Sequence, residues 1–119
     1  MLWYEHNTFT REFKKFSKKF VTAKRDFEAV KKLLGTQFDP LNPKEIISPG
    51  KIHRVQQNAI WDLWKIEALV EGLKPSQWPR IWFVVSGDSI TFLCIGTHIG
   101  NYDNNEMDRI AISRIGDLT

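Results

Sequence analysis

Of the side chains in this chain of 119 residues whose types move protons or hold phosphate charge, four stand out: His53, Arg80, His98 and Tyr102. His98 follows Gly96 and Thr97 at the end of an apolar run, and Tyr102 stands four residues later. A glycine that lets backbone approach closely, then an imidazole and a phenol at a strand end, points to a site more than to a core. Metal-free cleavage of RNA asks for such a set. It needs a base for the ribose 2′-hydroxyl, a cation to hold the developing phosphorane charge, and an acid for the leaving 5′-oxygen. Lys51, Arg54 and Lys65 add cations near His53, and Tyr102 or Trp78 can stack a splayed base. Each residue also has a plain structural use. His98 can hydrogen-bond its own loop, His53 can have a purely structural role, Arg80 can be a surface arginine at a strand entry, and Tyr102 can sit at the rim of a core.

Other chemistries lack their signatures. There is one cysteine, and the histidines at 6, 53 and 98 have no paired spacing, so no metal site is expected. No Gly-rich phosphate loop or nucleophile elbow occurs, and no cofactor is expected. Cys94 lies within an apolar run and reads as a small buried hydrophobe.

The elements that must position these groups are partly legible. Residues 78–102 read as a β-hairpin: β-branched and aromatic residues at 81–85, a turn at Ser86-Gly87-Asp88, and a returning strand at 90–95. Residues 2–6 suit a short edge strand. Phe9, Phe13, Phe16, Phe20, Ala23, Phe27, Val30 and Leu34 then recur at alternating spacings of four and three, one apolar stripe for either a single long helix or two helices broken near residues 17–22. Thr8 or Thr10 is the expected N-cap and Gly35 the expected C-cap. Lys14, Lys15, Lys18 and Lys19 lie off the stripe and face solvent or a partner. Residues 36–50 hold three of the five prolines and read as a loop; from Lys51 the pattern is mixed, and Gln56-Gln57-Asn58 looks like a turn.

Residues 60–69 resemble a strand with Trp61, Leu63, Lys65 and Glu67 on one face and Asp62, Trp64, Ile66 and Ala68 on the other. At the C-terminal end, Asp103, Asn104 and Asn105 offer caps for an amphipathic helix carrying Met107, Ile110, Ala111 and Ile115, which ends at Gly116. The order is strand, one or two helices, loop, three strands and a helix. It predicts one α+β domain over residues 1–119, with helices on one face of a small, mostly antiparallel sheet.

Composition is that of an ordinary globular domain, 42% hydrophobic and 26% charged. No apolar run approaches the roughly 18 residues that a membrane span needs, and MLWYEHNTF lacks the layout of a signal peptide. A cytoplasmic protein with no membrane association is expected. Residues 1–32 hold nine Lys or Arg against four Asp or Glu, while the rest holds eight against ten. A basic region beside a near-neutral body suits an anionic partner, nucleic acid or acidic protein, and equally a solvated helix face.

Three stretches resemble the RelE/ParE toxin superfamily of type II toxin–antitoxin systems, and most closely its YafQ-like ribonuclease branch. YEHNTFTREFKKFSKKF resembles the family's opening strand and Lys-rich helix. KIHRVQQNAIW resembles its segment with a basic residue and a later tryptophan. PRIWFVVSGDSITFLCIGTHIGNY resembles its closing hairpin, which ends in a G-T-H-x-x-x-aromatic motif. The resemblance spans roughly residues 3–102 and rests most on GTHIGNY.

It implies a curved antiparallel sheet packed against an N-terminal helical hairpin, with residues 103–119 as a C-terminal helical extension. It further implies an endoribonuclease that cuts mRNA on the ribosome without a metal, held in check by a cognate antitoxin protein. His98 matches the family's acid/base histidine, Tyr102 its terminal aromatic and Arg80 the arginine opening the third strand, with His53 a looser match. Lys14, Lys15, Lys18 and Lys19 would contact ribosomal RNA or antitoxin, and Lys51, Arg54, Lys65 and Trp78 would contact the substrate RNA. Cys94 stands where many ribonuclease members carry an arginine. Two rival readings share the fold: a ParE-like inhibitor of DNA gyrase, and a catalytically silent binding module whose C-terminal helix covers the groove.

Overall fold

Strands β4 (Arg80–Ser86) and β5 (Ser89–Gly96) form the expected hairpin, with Ser86 paired to Ser89 across a two-residue turn in which Gly87 takes φ 58°. A side chain there would be strained, so glycine is the natural occupant. The computed structural model describes residues 1–98 and 102–118. Around the hairpin lie β1 (Leu2–Glu5), α1 (Asn7–Lys19), α2 (Ala23–Gln37), β2 (Ile52–Gln57), β3 (Asp62–Glu67), a 3-10 turn at Pro75–Gln77, and α3 (Asn104–Gly116). The strands make one sheet in the order β1-β5-β4-β3-β2, antiparallel throughout except for β1, which runs parallel to β5. This is the α+β class expected, with an N-terminal helical hairpin and a C-terminal helix.

One expectation is corrected: the helices do not share a face. Phe9, Phe27, Val30 and Leu34 of α1 and α2 pack with Ile66, Ile81, Phe83 and Phe92 on one side of the sheet. Met107, Ala111 and Ile115 of α3 pack with Leu63, Trp82, Val84, Leu93 and Cys94 on the other. Both faces of β3 are therefore covered, and this is why its sequence shows no clean alternation.

A β-bulge near the middle of β5 adds a residue to the second face. Trp82 pairs with Cys94 and Phe83 with Phe92, so Leu93 is the extra residue on its strand. Phe92 then faces the helical hairpin while both Leu93 and Cys94 turn toward α3. The guanidinium of Arg114 on α3 donates to the Leu93 carbonyl at 2.7 Å and makes two hydrogen bonds, of 2.8 and 3.0 Å, to the Glu12 carboxylate on α1. Asp103 caps α3 by accepting from the N–H groups of Asn105 and Glu106, as its sequence suggests.

Other local expectations also change. The apolar stripe is two helices, broken where Phe20 turns extended; Phe16 and Ala23 are buried in one cluster on either side of the break, so the period carries no trace of it. The cap of α1 is His6, whose Nδ1 accepts from the N–H of Thr8 at 3.1 Å, and neither threonine. Gly35 lies inside α2 and not beyond its end. A Cβ there would stand 3.3 Å from the ring of Trp3, so glycine serves the packing of β1 on α2. Residues 52–57, mixed in sequence and turn-like at their end, form the edge strand β2. It is exposed along most of its length, so burial imposes no pattern on it, and pairing with β3 decides its conformation. Among the described residues no helix is long and apolar enough to cross a membrane.

Candidate functional site

Arg80 opens β4 and pairs across the sheet with Glu67 on one side and Gly96 on the other. The 3-10 turn at Pro75–Gln77 and buried Pro79 lead the chain into it, with the Pro79 carbonyl accepting from the N–H of Ala68. Its guanidinium donates to Asn104 on α3 at 3.0 Å and to Glu67 at 3.5 Å. Its charge also acts on the hydroxyl of Tyr102. The Tyr102 ring lies over Gly96, where a Cβ would meet ring atoms at 3.0 to 3.1 Å, and meets the indole of Trp82 edge-on at 6.0 Å. Only glycine at position 96 admits the ring so close.

Burial pushes the Tyr102 hydroxyl above its ordinary pKa, with the carboxylate of Glu67 adding to the effect and Arg80 opposing it. A phenol is protonated at neutral pH in any case, so its hydroxyl can donate a hydrogen bond. His98 is exposed, and its ring centroid lies 5.7 Å from that of Tyr102. Arg80, Tyr102 and His98 thus form a contiguous series at the end of the β4–β5 hairpin. Positions 99–101 of the GTHIGNY motif lie outside the described residues.

A cleft of about 410 Å3 adjoins Arg80, lined by His53, Arg54, Val55, Lys65 and Asp108. His53 pairs with Lys65 across β2 and β3. The ammonium of Lys65 sits 3.8 Å from the Asp108 carboxylate and over the Trp82 ring at 5.8 Å. The Arg54 guanidinium stacks on Trp64 at 5.3 Å and hydrogen-bonds Gln57. Lys51 joins from the other side of Arg80: its ammonium is 3.2 Å from the second oxygen of Glu67 and 5.0 Å over the ring of Trp78. Trp78 is fixed by its indole N–H donating to the Leu73 carbonyl at 3.2 Å.

Of the residues singled out from sequence, His53, Lys65, Arg80, His98 and Tyr102 come together, with Lys51 and Trp78 linked through Glu67. Lys14, Lys15, Lys18 and Lys19 do not join them. They are exposed on α1, in the helical layer on the opposite side of the sheet from α3. Cys94 is fully buried against α3, where burial pushes its thiol up to about 12.

Three residues that sequence reading missed shape the site: Glu67, Asn104 and Asp108. The last two stand four apart on α3, next to its apolar positions, so they share one helix face. That spacing is the signal that could have found them. Among the described residues no group of His, Cys, Asp and Glu is arranged to hold a metal ion. The arrangement can bind phosphate oxygens through Arg80 and Lys65, donate a hydrogen bond from Tyr102, and exchange protons at His98.

Fold and site together define an α+β protein with one mostly antiparallel sheet between helical layers and a cationic cleft bordered by its last helix. Comparison with known proteins found no matching family model, no matching curated protein and no matching solved structure.

Proposed function

We propose that this protein is an endoribonuclease, the toxin of a type II toxin–antitoxin pair, cleaving mRNA in the cytoplasm in association with the ribosome. The observation that supports this reading is that Arg80 lines the cleft that holds Lys65 and His53, while its charge acts on Tyr102, whose ring centroid lies 5.7 Å from that of His98. In the proposed reaction the 2′-hydroxyl gives up its proton to His98 and attacks the neighbouring phosphorus. Arg80 holds the phosphorane oxygens, the P–O5′ bond breaks, and the leaving oxygen takes a proton from an acid in the site. The products are a 2′,3′-cyclic phosphate and a 5′-hydroxyl. Tyr102 orients the scissile nucleotide or stacks on its base, and Lys51, Arg54, Lys65 and Trp78 hold the flanking strand. An antitoxin is the partner this reading entails.

The test is induced expression of wild type and of His98→Ala, with growth recorded and the 5′ ends of cellular mRNA mapped. Growth arrest and new cuts with the wild type alone are expected, with unchanged thermal unfolding of the variant. Full activity in His98→Ala would overturn the assignment.

A second reading, a binding module without catalysis, draws on the partners that Arg80 already has. Its guanidinium is already engaged by Glu67 and Asn104, and the position where the ribonucleases that the sequence resembles carry an arginine is Cys94, buried under α3. RNA binding without cleavage by the purified wild type, and no growth arrest, would favour it. Growth arrest with intact RNA in both strains would instead point to a gyrase-directed target.

A further inference from the structure

Strand β1 is an open sheet edge with an unusual setting. The Leu2 N–H donates to Asp88 and the His6 N–H to Phe92, both on the β5 side. By the alternation of a parallel ladder, Trp3 and Glu5 direct their N–H and C=O groups to the free side. β1 carries no proline, bulge or lysine, the usual guards of such an edge. The other edge, β2, is bulged near Val55 and carries Arg54 and His53.

Two hollows adjoin the β1 edge. One, of about 330 Å3, is lined by Trp3, Tyr4, Glu5, Thr10, Lys31 and Phe92. The next, of about 340 Å3, lies between α1 and α2 with Phe13 and Phe27 in its lining, three cations (Lys14, Lys24 and Lys31) and two carboxylates (Glu5 and Glu28) around it. Glu5, Thr10 and Lys31 line both, so the two make one groove. Lys14 and Lys24 are exposed and form no ion pair among the described residues, whereas Lys31 is 3.5 Å from Glu28. Leu2 and Tyr4, on the opposite side of the strand from Trp3, are 50% and 54% exposed.

We propose that β1 is a docking edge for an acidic, extended protein segment that adds to the sheet as a sixth strand. Its backbone pairs with Trp3 and Glu5. Side chains alternate, so apolar residues on one face cover Leu2 and Tyr4, while acidic residues on the other reach Lys14, Lys24 and Lys31. A second copy of this chain fits worse, because edge-to-edge pairing would bring two basic N-terminal regions together. β1 pairs with residues 89–92, away from Gly96, so this edge is separate from the Arg80 site.

The test uses the full chain and two fluorescein-labelled peptides, one alternating Glu with Val and one alternating Lys with Val, read by anisotropy at low salt. The Glu-Val peptide should bind and the Lys-Val peptide should not. Lys14→Glu with Lys24→Glu should weaken binding by about tenfold or more. Glu5→Pro removes one outward N–H without touching the β5 ladder and should weaken it similarly. In the wild type, amide exchange at Trp3 and Glu5 should slow on binding, a readout that holds even if Glu5→Pro fails to fold. Absence of Glu-Val binding, binding that leaves those two amides unprotected, or a β1-paired dimer of the free chain in sedimentation would overturn the proposal.

Discussion

The indole N–H of Trp82, at the centre of β4, donates to the carboxylate of Asp108 on α3 at 2.7 Å. The same carboxylate lies 3.8 Å from the ammonium of Lys65. One α3 residue therefore both satisfies a polar group on a fully buried side chain and offsets a cation of the cleft. Asn104, one helical turn earlier, does the corresponding work at Arg80. The position of α3 is thus coupled to the electrostatics of the candidate site.

Asp108→Ala should destabilise the fold by about 1–3 kcal/mol, because the Trp82 N–H is left buried without an acceptor. Trp82→Phe removes the donor, and the double variant should lose less than the two single losses added together. Urea denaturation of the four proteins measures this coupling. Asp108→Asn keeps an acceptor but removes the charge opposite Lys65. It should cost less stability and raise affinity for a single-stranded RNA oligonucleotide in a binding titration.

Gly96→Ala places a methyl 3.0 to 3.1 Å from the Tyr102 ring. The ring must give by a few tenths of an ångström, at a cost of about 1–3 kcal/mol. Tyr102→Ala on the Gly96→Ala background should recover most of that loss in a thermal or urea melt. If the two losses simply add, the ring is not what position 96 accommodates.

Cys94 should be inert in the native protein. It is fully buried, its thiol is pushed up to about 12, and the surrounding contacts are with α3. At pH 8 a thiol reagent should react fully in denaturant and only slowly without it. Asp108→Ala, by loosening α3, should speed the native reaction, so labelling of Cys94 reports the detachment of that helix.

Asp26, near the start of α2, gives the fold an acid-sensitive contact. Burial alone would raise its carboxyl, but the hydrogen bonds from the Glu71 N–H at 3.0 Å and the Thr22 hydroxyl at 2.8 Å, with the charge of Arg25, outweigh burial and hold it below the usual carboxylate range. A carboxyl lowered in the folded state stabilises above its unfolded pKa, and that contribution is lost as pH falls through the lower, native value. Asp26→Asn should be less stable than wild type at pH 7, and the gap in urea midpoints should close in the acid range. A gap that is independent of pH would exclude the carboxylate as its source.

Much of the fold was legible where one residue's environment follows from its neighbours in sequence. The β4–β5 turn needs only Gly87, the cap of α3 needs only Asp103, and the buried face of α3 follows from spacing. What stayed hidden depends on distant partners. The break at Phe20 left the apolar period intact because both helices pack on the same face of the sheet. β2 had no pattern because an exposed edge strand is set by its pairing. His6 was missed as a cap because its role depends on a side-chain nitrogen that also has Asp117 within 2.9 Å of the other ring nitrogen.

By itself, then, the sequence determined the residue types available for chemistry, the hairpin that carries Arg80 and His98, and the amphipathic elements around it. Those are local properties, fixed by turn geometry, capping and apolar spacing. Only the tertiary structure decided that α3 crosses to the other face, where the bulge at Leu93 turns two successive side chains toward it. Only the tertiary structure decided that Glu67, Asn104 and Asp108 would stand against the cations of the cleft. Ion pairs and hydrogen bonds between residues far apart in the chain form only where packing brings them together; the spacing of Asn104 and Asp108 marks a shared helix face but not the partners that face meets.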